Sequence, residues 1–331
     1  MKKRILGKGG PPVSVLGVGG MSFAGIYGNA TVEESHAILD AALDAGVTHI
    51  DTANVYGMGR SEEIIGSYLA RRKGETPFVL ATKAGISRDP ETGRNFDNSP
   101  AHIGAELDRS LARLGVERID LFYLHRLDPD VPVEEVVGTY MRLVQAGKIG
   151  HIGLSEVAPT TIARATGIHP IAAVQSEYSL QTRSPELGLV QACERLGISL
   201  VAFSPVGRGL LTDAPPVPEA IGASAFMKSN PRFRSGNLER NLIASQPLRD
   251  LAAEAGCSTA ALAIAWVLAQ SPSTLVIPGT RNRGHFAELV EGAKLELGAD
   301  LKAEIERRLP VGWCHGDRYS TRQWLGPQKY C

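Results

Sequence analysis

Short apolar runs alternate with amphipathic stretches along this whole chain. The runs fall at 16–20, 48–51, 78–83, 120–125, 151–155, 172–176, 199–204 and 274–278. Each is short, and several are apolar throughout, as strands of a parallel sheet buried on both faces are. The stretches between them carry helix punctuation. Thr31-Val32-Glu33-Glu34 is a capping box, and Gly46 follows the helix it opens. Ser99-Pro100 supplies an N-cap and a first-turn proline, with Gly115 closing that helix. Pro132-Val133-Glu134-Glu135 opens another, ended by Gly147. Residues 257–270 are apolar around most of a helical circumference, which places them against the sheet.

Eight strands with helices between them predict an α/β fold. A closed (β/α)8 TIM barrel and a large doubly wound sheet both satisfy that order. The count of eight and the similar unit lengths favour the barrel, as one domain over 1–331. Lys3 to Leu6 and Val13 to Leu16 flank Gly9-Gly10-Pro11-Pro12, so residues 1–16 read as a hairpin capping one end. After the seventh strand, residues 206–245 form a long connection rich in Pro, Gly, Arg and Asn. A connection of that length inside a compact domain is expected to be functional. Residues 310–331 form a tail with Trp313, His315, Tyr319, Trp324 and Tyr330. They read as packing or as a wall of the substrate mouth.

Composition narrows the classes. The 331 residues are 43% hydrophobic and 21% charged, as in a soluble enzyme. Lys plus Arg and Asp plus Glu both number 35, so no net field favours nucleic acid or an anionic membrane. No run approaches membrane-span length. The basic start breaks at Gly7, Lys8, Gly9 and Gly10, without the apolar run of a signal peptide. Cys193, Cys257, Cys314 and Cys331 lack metal or disulfide spacing, so a reducing cytoplasm is the expected compartment. No apolar stripe predicts an oligomeric state. Cys314-His315 looks like half a metal site, but has no partner pair.

In a barrel the chemistry sits where strands end and βα loops begin. The second strand ends at Asp51, and its loop carries Tyr56. The third ends at Lys83, the fourth at His125 and the fifth at Ser155. The sixth supplies Gln175, and the seventh Phe203-Ser204. Lys83 can pair with Asp51 across adjacent strands. An ammonium beside a phenol is expected to lower the Tyr56 pKa from its usual value of about 10. Such a phenol can give a proton to a carbonyl oxygen, with His125 orienting the substrate. Hydride would have to come from a nicotinamide, since no side chain supplies one. His49 reads as barrel floor. Gly17-Val18-Gly19-Gly20 lacks the third glycine of a dinucleotide fingerprint and suits close backbone approach instead.

The segment Asp51-Thr52-Ala53-Asn54-Val55-Tyr56-Gly57, with Ser61-Glu62, resembles the first signature of the aldo-keto reductases. Leu121-Phe122-Tyr123-Leu124-His125-Arg126 resembles their fourth strand, and Lys148 to Ser155 their fifth. Val174 to Ser179, Phe203 to Gly209 and Ile277-Pro278-Gly279-Thr280 are similarly placed. The match runs over roughly residues 1–310, and its details resemble the plant and bacterial branch that includes perakine reductase. The resemblance implies a catalytic tetrad of Asp51, Tyr56, Lys83 and His125. It implies that Ser155 and Gln175 hold a carboxamide and Phe203 stacks on the nicotinamide. It also places Gly20, Met21, Asp51, Ser204, Pro205, Val206, Gly207, Arg208, Gly209, Gly279, Thr280, His285 and Glu288 at the cofactor. The loop at 206–245 would cover the pyrophosphate, and Arg281 would meet a 2′-phosphate. With no acidic residue beside Arg281, NADPH is predicted over NADH. Two positions depart from the family: Leu289 follows Glu288 where Asn is usual, and Glu156 follows Ser155 where many members have Asn.

The predicted activity is reduction of a small aldehyde or ketone. Two other functions share this set. Lys83 at a strand end suits a Schiff-base lyase, and potassium-channel β subunits of the same family suit a cofactor-sensing role.

Overall fold

The computed structural model describes residues 1–72, 76–87 and 95–329. Tyr330 and Cys331 of the tail lie outside them. Two short strands, β1 (Lys3–Ile5) and β2 (Pro12–Ser14), pair antiparallel as the expected hairpin. Eight parallel strands follow: β3 (Val18–Gly19), β4 (His49–Asp51), β5 (Val79–Ala84) and β6 (Ile119–Leu124), then β7 (Ile149–Ser155), β8 (Ala173–Glu177), β9 (Ser199–Phe203) and β10 (Thr274–Val276). Each pairs with its chain neighbours, in the order β3 to β10. The ends meet, because Gly17 N donates to Val276 O at 2.8 Å and Val276 N to Val15 O at 2.9 Å. The sheet therefore closes into a (β/α)8 barrel.

The helix signals act where the sequence places them. Thr31 and Glu34 form the capping box of helix Val32–Asp44. Ser99 accepts from His102 N at the start of helix Pro100–Leu114, which ends on left-handed Gly115. Helix Thr259–Leu268 is buried at every position. It lies in the layer between strands and helices, with Trp266, Ile264 and Leu262 in the main apolar cluster. A second cluster fills the barrel and includes Leu6 and Val13 from the hairpin, which plugs the N-terminal end.

Two glycines make room inside. A Cβ on Gly17 would lie 2.1 Å from His49 Nε2, and one on Gly153 2.3 Å from Tyr123 Cδ1. His49 is buried on the barrel floor, as expected. Burial pushes its imidazole down to about 4, so it is neutral at ordinary pH.

The connection at 206–245 differs from a plain loop. It folds into helices Pro218–Gly222, Ala225–Ser229 and Asn237–Ala244. Leu210, Ile221, Met227, Phe233 and Leu238 give it an apolar cluster of its own. The cause is burial of dispersed apolar residues, a tertiary effect that a Pro- and Gly-rich composition hides. Among the described residues, no single helix is long and apolar enough to cross a membrane.

Candidate active site

Asp51 and Ser155 end their strands, Lys83 stands one residue before the end of β5, His125 one residue beyond β6 and Gln175 at the middle of β8, while Tyr56 stands in the loop after β4. Lys83 is wholly buried. Its ammonium donates to Asp51 Oδ1 and, at 2.7 Å, to Thr52 O. Its nitrogen lies 5.1 Å from the Tyr56 ring centroid. The Tyr56 and His125 rings meet edge to face, with centroids 5.8 Å apart. The four residues expected to act together therefore sit at one mouth.

The expected shift of Tyr56 is corrected by the structure. Burial pushes its phenol well above the usual value, and the charge on Asp51 pushes it further; only Arg126 opposes them. The physical reason is that Lys83 spends its charge on Asp51, leaving the phenolate without hydration and facing an anion. The buried pair shows the same desolvation. Burial raises the Asp51 carboxyl and lowers the Lys83 ammonium, each opposed by the partner's charge.

Ser155 and Gln175 are register partners on β7 and β8. Gln175 Nε2 donates to Asp51 Oδ2 at 2.8 Å, which joins these two strands to the tetrad. Arg126 Nη1 donates to Ser155 Oγ at 3.2 Å and to His125 O at 2.6 Å. Phe203 and Met21 are partly exposed, while Gly20 is buried.

Backbone strain gathers at this rim. Among the described residues, Met58, Glu156, Ser204 and Arg208 are the non-glycines with left-handed φ, between 52° and 57°. All follow strand ends that carry site residues, where strain is held by the surrounding fold.

The remaining expected cofactor positions fall into two groups. Ser204, Pro205, Val206, Gly207, Arg208 and Gly209 follow β9 directly. Gly279, Thr280 and Arg281 follow β10, and His285 and Glu288 lie on helix Arg283–Lys294. Gly19 N donates to Pro278 O at 2.9 Å, so the ends of β3 and β10 converge beside them. Arg281 donates to the carbonyls of Asn29 and Tyr27, and this ties it across to the loop after β3. Arg208 does not point outward. Its Nη2 donates to Glu177 Oε2 at 2.6 Å, and its guanidinium lies over Phe226 and Tyr319.

Glu177 and Arg318, which the sequence left without a role, build the wall together with Arg208, Arg232 and Glu156. Glu177 is fully buried and also accepts from Arg232 at 3.1 Å and Thr182 at 2.9 Å. Burial alone would push its carboxyl up, but Arg208, Arg232 and Arg318 hold it below the usual range. Glu156, also buried, takes Arg318 on both oxygens at 3.0 and 2.8 Å. Gln328 N donates to Glu156 O at 2.9 Å. These contacts dock the tail over β7 and β8. Tyr319 is buried there, edge-on to Trp324, while Trp313 donates to Leu180 O at 2.8 Å. The sequence did hold a signal: a carboxylate just past an apolar strand end must be paired if it is buried.

The sequence model of the Aldo/keto reductase family matches residues 15–308. An aldo-keto reductase of Schizosaccharomyces pombe, yakc, named for NADP(+), is 36% identical over 94% of this chain and 93% of its own. A Glycine max protein named "probable aldo-keto reductase 1" is 38% identical over 95% and 90%. The glycerol dehydrogenase of Gluconobacter oxydans superposes with a TM-score of 0.80 at 30% identity, over 93% of this chain and 94% of that one.

Proposed function

The chain belongs to the aldo/keto reductase family, and on that premise we propose that it reduces an aldehyde or ketone to the alcohol with NADPH. The observation that carries this reading is the mouth itself, where Tyr56 meets His125 edge to face above the buried Lys83–Asp51 pair. NADPH rather than NADH follows from the name of the yeast relative and from Arg281, which no acidic residue pairs among the described residues.

The residues fit such a cofactor. Ser155 and Gln175 offer polar atoms side by side, with Phe203 at the end of the next strand, β9. When bound, the nicotinamide supplies the hydride. Tyr56 gives its phenolic proton to the carbonyl oxygen as charge gathers there. Its raised pKa keeps it protonated across neutral pH, so it enters the step as an acid. His125 orients the carbonyl, and Arg126 is the cation whose charge opposes the rise of the Tyr56 phenol. Schiff-base chemistry on Lys83 has no opening, since the amine is wholly buried and held by Asp51 and Thr52.

The test is a screen of aldehydes and ketones followed by reduced-nicotinamide absorbance, with each cofactor and with Tyr56→Phe. Turnover that needs Tyr56 supports the reading. Protein that binds NADPH yet oxidises none across the panel overturns it in favour of a sensing role.

A further inference from the structure

Arg126 follows His125 directly and is only part-buried. Its surroundings fix the side chain. Asn98 Nδ2 donates to its carbonyl at 3.1 Å. The docked tail crosses its stem, since a Cβ on Gly326 would lie 2.9 Å from Arg126 Cδ and 3.0 Å from Cγ. Nη1 spends its two hydrogens on His125 O at 2.6 Å and Ser155 Oγ at 3.2 Å. Nε and Nη2 have no partner among the described residues, and neither nitrogen is buried. The guanidinium is thus anchored by one corner, and its Nε–Nη2 edge stays open. That edge lies near the reacting groups. Burial raises the phenols of Tyr56 and Tyr319, and the Arg126 charge works against the rise at both. No carboxylate among the described residues answers this cation. Asp51 is held by Lys83 and Gln175, Glu156 by Arg318, and Glu177 by Arg208 and Arg232. The whole chain balances 35 basic against 35 acidic side chains, so the excess of positive charge here is local.

We propose that the substrate is an oxo acid, an aldehyde or ketone whose carboxylate is received on the open Nε–Nη2 edge of Arg126. The proposal rests on the reductase reading above. Two parallel N–H donors match the two oxygens of a carboxylate. One cation balances its single negative charge, whereas a phosphate monoester brings nearly a second charge that this edge leaves unmet. A carboxylate held there limits how the carbonyl can lie against Tyr56.

Steady-state kinetics with NADPH on matched pairs test this. The pairs are 4-oxobutanoate and 4-carboxybenzaldehyde, each against its methyl ester. Within a pair the reacting aldehyde is shared, so the ratio of kcat/KM, acid over ester, cancels what Arg126 does for Tyr56. In at least one pair, wild type is expected to favour the acid by about tenfold or more, the worth of a hydrogen bond to a charged group. The preference should fall mainly in KM, as uniform binding does. Arg126→Met should cut that ratio by about tenfold, and Arg126→Lys, which keeps the charge without the fork, should fall between. Wild type that favours the acid in neither pair overturns the proposal, and that measurement needs no variant to fold. An acid preference that survives Arg126→Met overturns it too. A larger preference for glyceraldehyde 3-phosphate over glyceraldehyde, lost in Arg126→Met, overturns the carboxylate in favour of a phosphate. Protein that reduces no aldehyde of the set, acid, ester or phosphate, refutes the reductase reading itself, a separate outcome.

Discussion

Gln175 on β8 bonds Asp51 on β4 across the mouth of the barrel, Nε2 to Oδ2 at 2.8 Å. Asp51 thus holds Lys83 with one oxygen and Gln175 with the other. The residue expected to bind cofactor and the pair expected to serve proton transfer form one network. Gln175→Leu should therefore act at both sites, weakening NADPH binding by several-fold and lowering turnover at saturating cofactor. Kd from calorimetry and kcat from absorbance separate the effects. A change confined to Kd would uncouple them.

Tyr56→Phe removes the proton and keeps the ring against His125. We expect NADPH affinity within about twofold of wild type and carbonyl reduction down by about 10²- to 10⁴-fold, the usual worth of a general acid. Kd and single-turnover rates are the measurements.

The buried pair sets a stability pattern as well. Asp51→Asn or Lys83→Met alone leaves one buried charge without its partner, at a cost of about 3–5 kcal/mol. The double variant should regain much of that in urea or thermal unfolding, yet remain inactive. A double variant no more stable than the singles would show that packing, not charge, is at stake.

His49 predicts a pH dependence. Its folded pKa is about 4, against a usual 6.5. Below 6.5 the unfolded chain binds a proton that the folded chain refuses, so stability is full above 6.5 and is lost as pH falls towards 4. The contribution is at most about 3 kcal/mol over that window. In His49→Leu the loss between pH 6.5 and 4.5 should be visibly shallower by chemical denaturation. Parallel profiles would mean the imidazole is hydrated in the fold.

Glu177 ties β8 to the long connection through Arg208 and Arg232. Replacing it by Leu leaves two buried arginines without an anion. Limited proteolysis should then cut within 206–245 far faster than in wild type, while the barrel fragment stays resistant. Unchanged cutting would show that the apolar cluster around Phe233 holds the segment by itself.

Trp324 packs on Tyr319 and on Arg318, which Glu156 holds. Trp324→Ala should shift KM unequally among carbonyl substrates and leave NADPH Kd unchanged. A uniform shift would remove the tail from substrate selection.

Eight strands, their helices and the hairpin were legible in the chain because each rests on local chemistry. Apolar runs mark buried strands, Thr31 and Ser99 mark helix starts, and Gly115 and Gly147 mark ends. The positions of Asp51, Tyr56, Lys83 and His125 were legible for the same reason, since strand ends can be counted. Three things were decided only by the tertiary structure. The ionisation of Tyr56 depends on burial and on a Lys83 charge already spent on Asp51, and spacing reveals neither. The inward turn of Arg208, and the docking of Arg318 on Glu156, depend on carboxylates that distant strands bring beneath them. The helices within 206–245 depend on apolar residues too scattered to form a period, which gain a shared core only when the chain folds back. Electrostatics and non-local burial are sums over neighbours in space, and a sequence orders neighbours only along the chain.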